Sequence, residues 1–323
     1  MPRRRIRKTR KQQQVGGAAG RVAPTPGPAK CSPVSVARRG DVQSCLPVET
    51  LRKISAATRK RGGSQLGLNS TNVNVQELAK ELGCDPKDGR CMVERSLLSH
   101  KEKKALLDTF FRPAMPEEWK NDPDVWLTSD DIAAVMKQYE KAYPQFKFLG
   151  VVPIDFSAPD PYQNGGAAQQ QQKLYPEKKC MNDQFCHVDL KAEKAAGRKI
   201  LGAVFNLDPH YKGGSHWVAL AVDLVRDCAY YFDSYGMAPP PQVARFMRYL
   251  TLQNPKLKLQ SNGRRFQQSD TECGMYSMYF LIRMIAGESF KKFCKKPIAN
   301  KYMLEFRKVL FDANATGPNQ GST

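Results

Sequence analysis

The spacing of apolar positions changes near residue 116, and beyond that point the chain predicts a mixed α/β domain. The segments 146–156, 199–208, 216–225 and 228–236 are apolar and rich in β-branched and aromatic residues, which is typical of strands. Turn residues separate the last three segments. We therefore predict that these three are adjacent strands of one sheet.

Helical patterns accompany the strands. After Ser129, a candidate N-cap, apolar residues recur every three or four positions, and prolines open a second amphipathic segment at 239–253. Residues 271–287 are apolar on nearly every side, so they predict a helix that is buried all round. The expected fold class is α+β, with a central sheet and one buried helix.

Residues 41–115 predict a small, mainly helical region. Asn74 and Ser99 are candidate N-caps, and each is followed three residues later by a glutamate, as in a capping box. Gly83 supplies a C-terminal stop for the first of these helices. Both helices therefore have recognisable boundaries.

The two ends of the chain and one internal segment contain little that a core would bury. Residues 1–40 combine seven Lys or Arg in the first eleven positions with a Gly-, Ala- and Pro-rich run, which predicts a disordered basic tail. Residues 157–175 predict an exposed loop, and residues 312–323 a second disordered tail. The predicted regions are thus 1–40, 41–115, 116–311 and 312–323.

Charge is distributed unevenly. The net charge is +20, from 51 Lys and Arg against 31 Asp and Glu, and residues 1–65 hold 16 of the basic residues against only Asp41 and Glu49, a net charge of +14 there. Clustered Lys and Arg release counterions from a phosphate backbone, so residues 3–11 are the candidate contact with DNA. A nuclear import signal and a solvated tail without a partner are the alternatives.

Several classes of protein are disfavoured. No run approaches the ~20 apolar residues of a membrane helix, and no apolar segment follows the basic N-terminus as in a signal peptide, so we expect no membrane contact and no secretion. The nine cysteines are odd in number and scattered, which favours reduced thiols over a disulfide framework. Neither Cys84 with Cys91 nor Cys180 with Cys186 has zinc-finger spacing, so no metal site is expected.

Cys273 is the candidate nucleophile. It begins the buried segment, where free backbone N–H groups and the helix dipole favour a thiolate, and Gly274 would let a substrate backbone approach. Attack on a carbonyl also needs donors for the oxyanion. Gln267, six residues earlier, is the candidate side-chain donor, and Gln268 is the alternative.

His216 and Asp233 are the candidate base and its orienting carboxylate. His216 begins one predicted strand and Asp233 ends the next, so a hairpin between them would place both at the same open end of the sheet and on one face. A base held by a third group is the arrangement that activates a nucleophile. Taken singly, each of these residues also fits a purely structural role.

The order of the motifs resembles a known family. Gly-Ser-His216-Trp217, Tyr-Phe-Asp233-Ser-Tyr-Gly, Gln267 and Thr-Glu-Cys273-Gly-Met-Tyr-Ser resemble the SUMO proteases, the cysteine proteases that process ubiquitin-like proteins. They resemble still more closely the processing proteases of large nucleocytoplasmic DNA viruses, with adenovirus endopeptidase a more distant relative. Papain-like enzymes, in contrast, place the cysteine first.

The resemblance covers about residues 120–290 and implies a permuted papain-like core with no metal and no cofactor. It implies Cys273 as nucleophile, His216 as general base and then acid, Asp233 as orienting carboxylate, and Gln267 with the Cys273 N–H as oxyanion hole.

Trp126 is the position that matches a lid tryptophan of the SUMO proteases. The motif here reads Trp126-Leu-Thr-Ser-Asp-Asp, which departs from the family's Trp-Leu-Asn-Asp, and a core aromatic is the alternative. Residues 1–115 match nothing in the SUMO proteases and look closer to the extra N-terminal region of some viral members.

The function implied is a thiol endopeptidase that cuts viral structural polyproteins after Gly-Gly during virion maturation. The expected partners are capsid or core precursors with Gly-Gly-X sites, and DNA through residues 3–11; the expected location is the virion and the host cytoplasm, with the nucleus as alternative. A deubiquitinase-like or SUMO-type isopeptidase, an acetyltransferase on the same fold and a nucleic-acid-binding protein on an inactive protease fold are competing hypotheses. The Gly17-Ala18 bond is a hypothetical autocleavage site.

Overall fold

The structure is a computed structural model that describes residues 30–39, 44–59, 73–122, 124–158, 180–313 and 315. The expectations for residues 3–11, for the Gly17-Ala18 bond and for most of the 157–175 segment lie outside the described residues.

Thirteen helices and five strands occur in the described part of the chain. The helices are α1 (Pro33–Arg39), α2 (Val48–Arg59), α3 (Val75–Leu82), α4 (Gly89–Arg95), α5 (His100–Phe110), α6 (Glu118–Asn121), α7 (Ser129–Ala142), α8 (Asp183–Cys186), α9 (Leu190–Ala195), α10 (Pro241–Gln253), α11 (Cys273–Ile285), α12 (Phe290–Lys295) and α13 (Asn300–Leu310). The strands are β1 (Phe146–Pro153), β2 (Ile200–Asn206), β3 (Trp217–Asp223), β4 (Cys228–Phe232) and β5 (Lys258–Ser261).

The five strands form one mixed sheet in the order β1-β2-β3-β4-β5. The central strands β2, β3 and β4 are antiparallel, while β1 pairs with β2 and β5 with β4 in parallel. The predicted adjacency of three strands and the α+β class are confirmed. All residues of β3 and β4 are buried because helices cover both faces of the sheet.

Helix α11 is the predicted buried helix, and it lies against β3 with α7 on the same face of the sheet. Eleven of its thirteen residues are buried. The opposite face packs against α10 and the short helices α8 and α9. The start of α11 therefore lies beside the ends of the central strands.

Most predicted helix boundaries are confirmed, and one is wrong. Asn74 caps α3, and Gly83 ends it with a φ of 64°, a left-handed conformation that suits glycine. Ser99 and its glutamate partner form the capping box of α5. The N-cap of α7, however, is Thr128 and not Ser129, because the Thr128 hydroxyl accepts from the Asp131 N–H and the Asp131 carboxylate accepts from the Thr128 N–H.

The N-terminal helices form a hydrophobic cluster of their own, which reaches from Cys31 to Phe111. The prediction of disorder throughout 1–40 is therefore wrong for residues 30–39. Val34 is fully buried in this cluster, and the Ser32 N–H donates to the Phe110 carbonyl at 3.0 Å. This segment has only a few apolar side chains within an otherwise polar tail, so the pattern of hydrophobic positions does not indicate that it packs against the other helices.

The predicted C-terminal disorder is also wrong at its first residues. Asp312 is buried, its N–H donates to the Pro113 carbonyl at 2.8 Å, and its carbonyl accepts from the Met115 N–H at 3.0 Å. Ala315 is buried as well. These hydrogen bonds of Asp312 join the end of α13 to the segment that follows α5.

Six cysteines form disulfides, which contradicts the expectation of reduced thiols. The bonded pairs are Cys31–Cys45, Cys84–Cys91 and Cys180–Cys186. Each pair is local in sequence, with separations of 14, 7 and 6 residues, and the three cysteines left over make the total odd. A cross-link that closes a loop of about 15 residues stabilises the folded state by about 3 kcal/mol in the chain-entropy model.

A thiol titration checks this pairing. In denaturant without reductant we expect three reactive thiols per chain, Cys228, Cys273 and Cys294, and after reduction all nine. A Cys45→Ser variant should gain the thiol of Cys31 and retain the other two disulfides. Nine reactive thiols before reduction, in protein prepared without reductant, would contradict the pairing.

None of the helices among the described residues is long and apolar enough to cross a membrane.

Candidate active site

The hairpin of β3 and β4 brings His216 and Asp233 together. Ala219 pairs with Phe232, so continuation of this register places His216 opposite Tyr235 and two residues from Asp233. The His216 and Tyr235 rings are stacked accordingly, with centroids 4.8 Å apart and an interplanar angle of 21°. His216 and Asp233 are therefore not directly opposite each other in the hairpin, and their side chains meet diagonally across the two strands.

The imidazole is held by a buried carboxylate. His216 Nε2 lies 2.8 Å from Asp233 Oδ1, and the side chain of Asp233 is only 2% exposed. The same oxygen accepts from the Tyr235 N–H at 2.8 Å. Asn262 fixes the Asp233 backbone, accepting from its N–H at 2.9 Å and donating to its carbonyl at 2.6 Å. Asp233 is therefore fixed by hydrogen bonds with His216, Tyr235 and Asn262.

The second imidazole nitrogen of His216 faces the thiol. Cys273 is close enough to the ring to raise its pKa, and since Nε2 is engaged by Asp233, Nδ1 is the nitrogen that is left for the sulfur. Burial lowers the pKa of His216, but hydrogen bonds and charge from Asp233 and Cys273 outweigh it and raise the pKa to about 9. The thiol, the imidazole and the carboxylate thus form one continuous chain.

The raised pKa of His216 makes a prediction for pH dependence. Because the folded-state pKa is about 9 and the ordinary value is 6.5, the stabilisation that protonated His216 contributes is fully present below about pH 6.5. It is lost as the pH rises through about 9. We expect the free energy of unfolding to fall over this interval, and Asp233→Asn to reduce the fall because it removes a charge that raises the pKa.

NMR titration of the imidazole and urea unfolding at several pH values measure this effect. Asp155→Asn is the matched control, since Asp155 Oδ2 lies 2.7 Å from His210 Nδ1 in a second His–Asp pair. This substitution should leave the titration of His216 unchanged. A His216 titration near 6.5 in the unsubstituted protein would show that the imidazole is not held as described.

Cys273 is the first residue of α11 and is 1% exposed. The residue before it, Glu272, is in the N-cap position, yet its side chain makes no capping hydrogen bond. The first N–H groups of the helix are therefore not satisfied by a side-chain cap and point toward the site. Free N–H groups at a helix start stabilise negative charge on a neighbouring atom.

The Glu272 carboxylate turns instead into a buried ion pair. Its oxygens accept from Arg307 Nη2 at 2.8 Å and Arg307 Nε at 3.3 Å, and the two side chains are 1% and 4% exposed. Burial raises the pKa of Glu272 above its usual range, and the guanidinium opposes that rise. Arg307 also lies over the Trp119 ring, with 4.3 Å to the centroid, and donates to the Val125 carbonyl at 3.0 Å.

Gln267 reaches the site and Gln268 does not. Gln267 is fully buried, and its Oε1 accepts from the Ser234 hydroxyl at 2.7 Å, which directs its Nε2 to the opposite side. There Nε2 donates to the Ser269 carbonyl at 2.8 Å and lies 3.5 Å from the Tyr235 hydroxyl. Gln268 is exposed, and its N–H donates to Asn300. Of the two candidates, only Gln267 contacts residues next to the His216–Asp233 pair, namely Ser234 and Tyr235.

Gly274 does not leave space for a substrate, contrary to the expectation from sequence. A Cβ at this position would lie 2.9 Å from Leu127 Cδ1 and 3.2 Å from Trp217 Cδ1. The Trp217 indole N–H donates to the Leu127 carbonyl at 3.1 Å. Glycine is needed here because the segment that carries Leu127 packs directly against α11.

A groove of about 450 Å³ begins at Trp217 and runs along the rim of the sheet. Trp126 lines it and is 38% exposed, which fits a rim residue and excludes the alternative of a core aromatic. His210 and Pro153 line the far part. No group of three or more His, Cys, Asp or Glu side chains that could hold a metal occurs within the described ranges.

The sequence patterns assign no role to four residues that support this site, although two of them lie inside the quoted motifs. Tyr235 and Asn262 lie in turn-like segments, and Glu272 and Arg307 are 35 positions apart. Glu272 directly precedes the candidate nucleophile, and that adjacency was the one available hint. A charged residue next to a buried helix start must find a partner, because an unpaired buried charge is costly.

Comparison with known proteins agrees with this geometry. Residues 191–317 match the C-terminal catalytic domain of the Ulp1 protease family. A putative thiol protease of Acanthamoeba polyphaga mimivirus is 30% identical over 196 residues, which are 58% of this chain and 56% of that protein. A SUMO-1 cysteine protease of African swine fever virus is 37% identical over 117 residues, 34% of this chain and 43% of that protein. The chain thus spans about half the length of these curated relatives.

The crystal structure of the African swine fever virus protease has a similar fold. Its TM-score is 0.56 at 22% sequence identity, and the likeness covers 90% of this chain and 96% of the other. Coverage of that extent includes the N-terminal helices as well as the sheet. The resemblance to proteases of large DNA viruses is confirmed. Residues 191–317 are therefore similar to a catalytic domain of the Ulp1 protease family, and the fold resembles that of the African swine fever virus protease.

Proposed function

We propose that this protein is a thiol endopeptidase that cuts viral structural precursors after Gly-Gly. The observation that carries the proposal is the grouping of the Cys273 thiol, the His216 imidazole and the Asp233 carboxylate, beside residues Leu127 and Trp217 that line a groove and pack against Gly274. A nucleophile, a base and an orienting group in hydrogen-bond contact are the parts that acyl transfer to sulfur requires. The matching family and the viral relatives support the same reaction.

The reaction begins when His216 Nδ1 takes the thiol proton and the Cys273 sulfur attacks the carbonyl carbon of the residue before the scissile bond. The oxyanion that forms is stabilised by the Cys273 N–H at the start of α11 and by Gln267 Nε2. The C–N bond then breaks, and His216 gives its proton to the departing amine. Water attacks the thioester with His216 again accepting a proton, which releases the acid and restores the thiol.

Asp233 keeps the imidazole in the productive orientation throughout this cycle. Its carboxylate accepts from Nε2, which leaves Nδ1 for the sulfur, and it stabilises the cationic ring after proton transfer. The Tyr235 ring covers one face of the imidazole and limits its rotation. Both effects hold a reacting nitrogen in place.

Two features support glycine before the scissile bond. Trp126 and Trp217 both line the groove, and a groove lined by two indoles suits a backbone without side chains. A Cβ at Gly274 would meet Leu127 and Trp217, so these side chains leave no additional space for a substrate side chain there. The lid role of Trp126 is part of this proposal.

A substrate panel tests the proposed function. Peptides with Gly-Gly-X sites, ubiquitin-like precursors and isopeptide-linked conjugates are incubated with the unsubstituted protein and with Cys273→Ala. We expect cleavage after the second glycine of the peptides and none by the variant. Equal cleavage by both proteins, or no cleavage of any substrate class, would remove the proposal, and a preference for isopeptide bonds would favour the isopeptidase alternative.

The setting that we propose is the maturing virion and the cytoplasm in which it assembles, with residues 3–11 as a contact to DNA. The relatives that match are viral, and the net charge of +14 in residues 1–65 supports a polyanion partner. Deletion of residues 1–29 leaves the anchor at Cys31 intact. Unchanged DNA affinity and salt dependence after this deletion would contradict the contact.

A further inference from the structure

We propose that the protease reads the residues after the scissile bond with a cationic surface, and that its preferred sites carry acidic residues there. This inference rests on the proposed function and names the substrate class of the same site. We call the four exposed residues Arg264, Arg265, Lys295 and Lys296 the leaving-side surface.

The chemistry of the site fixes the direction in which the substrate runs. His216 must protonate the departing amine, so the chain after the scissile bond leaves across the imidazole. The chain before the bond occupies the groove lined by Trp126 and Trp217. Within the described residues, neither Tyr235 nor Arg265 lines that groove, so the two flanks of the site are separate.

Arg265 belongs to the flank of the imidazole. Its guanidinium lies 4.8 Å from the centroid of the Tyr235 ring, and the His216 ring stacks on the same residue at 4.8 Å. The imidazole and the guanidinium therefore both contact the Tyr235 ring. Arg265 Nε donates to the Gln267 carbonyl at 2.7 Å, which fixes the side chain while its terminal nitrogens face solvent.

The other members of the surface adjoin Arg265. Arg264 is its neighbour in sequence and donates through Nη1 to the Lys295 carbonyl at 3.0 Å, which joins the loop before α11 to the end of α12. Asp270 lies on this flank, but its carboxylate accepts from the Tyr235 hydroxyl at 2.9 Å. Four cations thus face one carboxylate that already has a partner.

An acidic polypeptide fits this surface better than a nucleic acid does. Arg265 contacts the same aromatic ring as the imidazole, on the flank across which the departing chain leaves. A fixed guanidinium presents paired N–H donors that match a carboxylate, and it repels a lysine at the same position. We therefore expect acidic residues within the first few positions after the scissile bond.

The test compares two peptides that share Gly-Gly and differ only in the three following residues, acidic in one and lysine in the other. Attraction between exposed charges in one peptide and repulsion in the other predict a ratio of kcat/KM of about tenfold at low salt. The ratio should approach one in high salt. Arg265→Glu should invert it.

Arg245→Gln is the matched control. Arg245 is exposed on α10, which covers the opposite face of the sheet, so this loss of a charge should leave the ratio unchanged. If the unsubstituted protein cleaves neither peptide, the proposed function has failed, and the affinity of both peptides for Cys273→Ala, measured by fluorescence anisotropy, still decides this inference. Equal rates or affinities for the two peptides would overturn it, as would an Arg265→Glu variant that loses DNA binding while its peptide ratio stays the same.

Discussion

Replacing His216 by alanine is expected to lower kcat/KM for a cleaved peptide about as far as replacing Cys273, by about 10⁴-fold or more. The imidazole lies beside the thiol and is positioned to move its proton. Without it, neither formation of the thiolate nor protonation of the departing amine is assisted. The double variant should be no worse than either single variant, because the two residues act as one unit.

Initial rates for the three variants under identical conditions measure this effect. Asp233→Ala should be less damaging than His216→Ala, since the imidazole remains and the Tyr235 ring still covers one face of it. His100→Ala is the matched control, because His100 is exposed at the start of α5. A His216→Ala variant within tenfold of the unsubstituted protein would refute the assigned role, as would additive losses in the double variant.

Replacing Arg307 by methionine is expected to lower the free energy of unfolding by about 3–5 kcal/mol. The substitution leaves the Glu272 carboxylate 1% exposed and without the guanidinium that neutralises it. It also removes the contact with the Trp119 ring and the hydrogen bond to Val125. Glu272→Met combined with Arg307→Met should recover much of the loss, because no buried charge then remains.

Urea unfolding of the single and double variants measures this coupling. Arg283→Met is the control, since Arg283 and Glu288 form a more exposed pair at 2.7 Å, for which a loss of about 1 kcal/mol or less is expected. If the double variant proved as unstable as Arg307→Met, packing of the arginine stem would explain the loss and the ion pair would not. A loss below about 1 kcal/mol in Arg307→Met would refute the prediction altogether.

The strands and the buried helix could be predicted because the pattern of apolar residues within each segment is enough to indicate its secondary structure. The segments around His216 and Asp233 are apolar runs that end in polar residues, and the helix that begins at Cys273 is apolar on nearly every side. The placement of candidate residues at strand and helix ends then brought them to one edge of the sheet. The alternation of side chains along a strand and the direction of the chain are therefore enough to predict this part of the site.

The remaining parts depend on contacts that local patterns do not contain. The pairing of Glu272 with Arg307 joins residues 35 positions apart, and the role of Gly274 is set by Leu127 from a distant helix entry. Scatter and an odd total of cysteines favour reduced thiols, yet Cys31 pairs with a partner 14 positions away. The apolar pattern extends the predicted strand to residue 236, whereas β4 ends at Phe232 and the ring and N–H of Tyr235 serve the His216–Asp233 pair.

The ion pair of Glu272 and Arg307 has a consequence for the order in which the protein is made. Cys273 leaves the ribosome 34 residues ahead of the arginine that neutralises the carboxylate beside it. At a synthesis rate of about 5–20 residues per second, the nascent chain carries its nucleophile for about 2–7 seconds before that partner exists. Because the arginine also holds the backbone just before Trp126, the groove acquires its final wall only after α13 has been translated. The groove is therefore completed by a helix that is translated after Cys273.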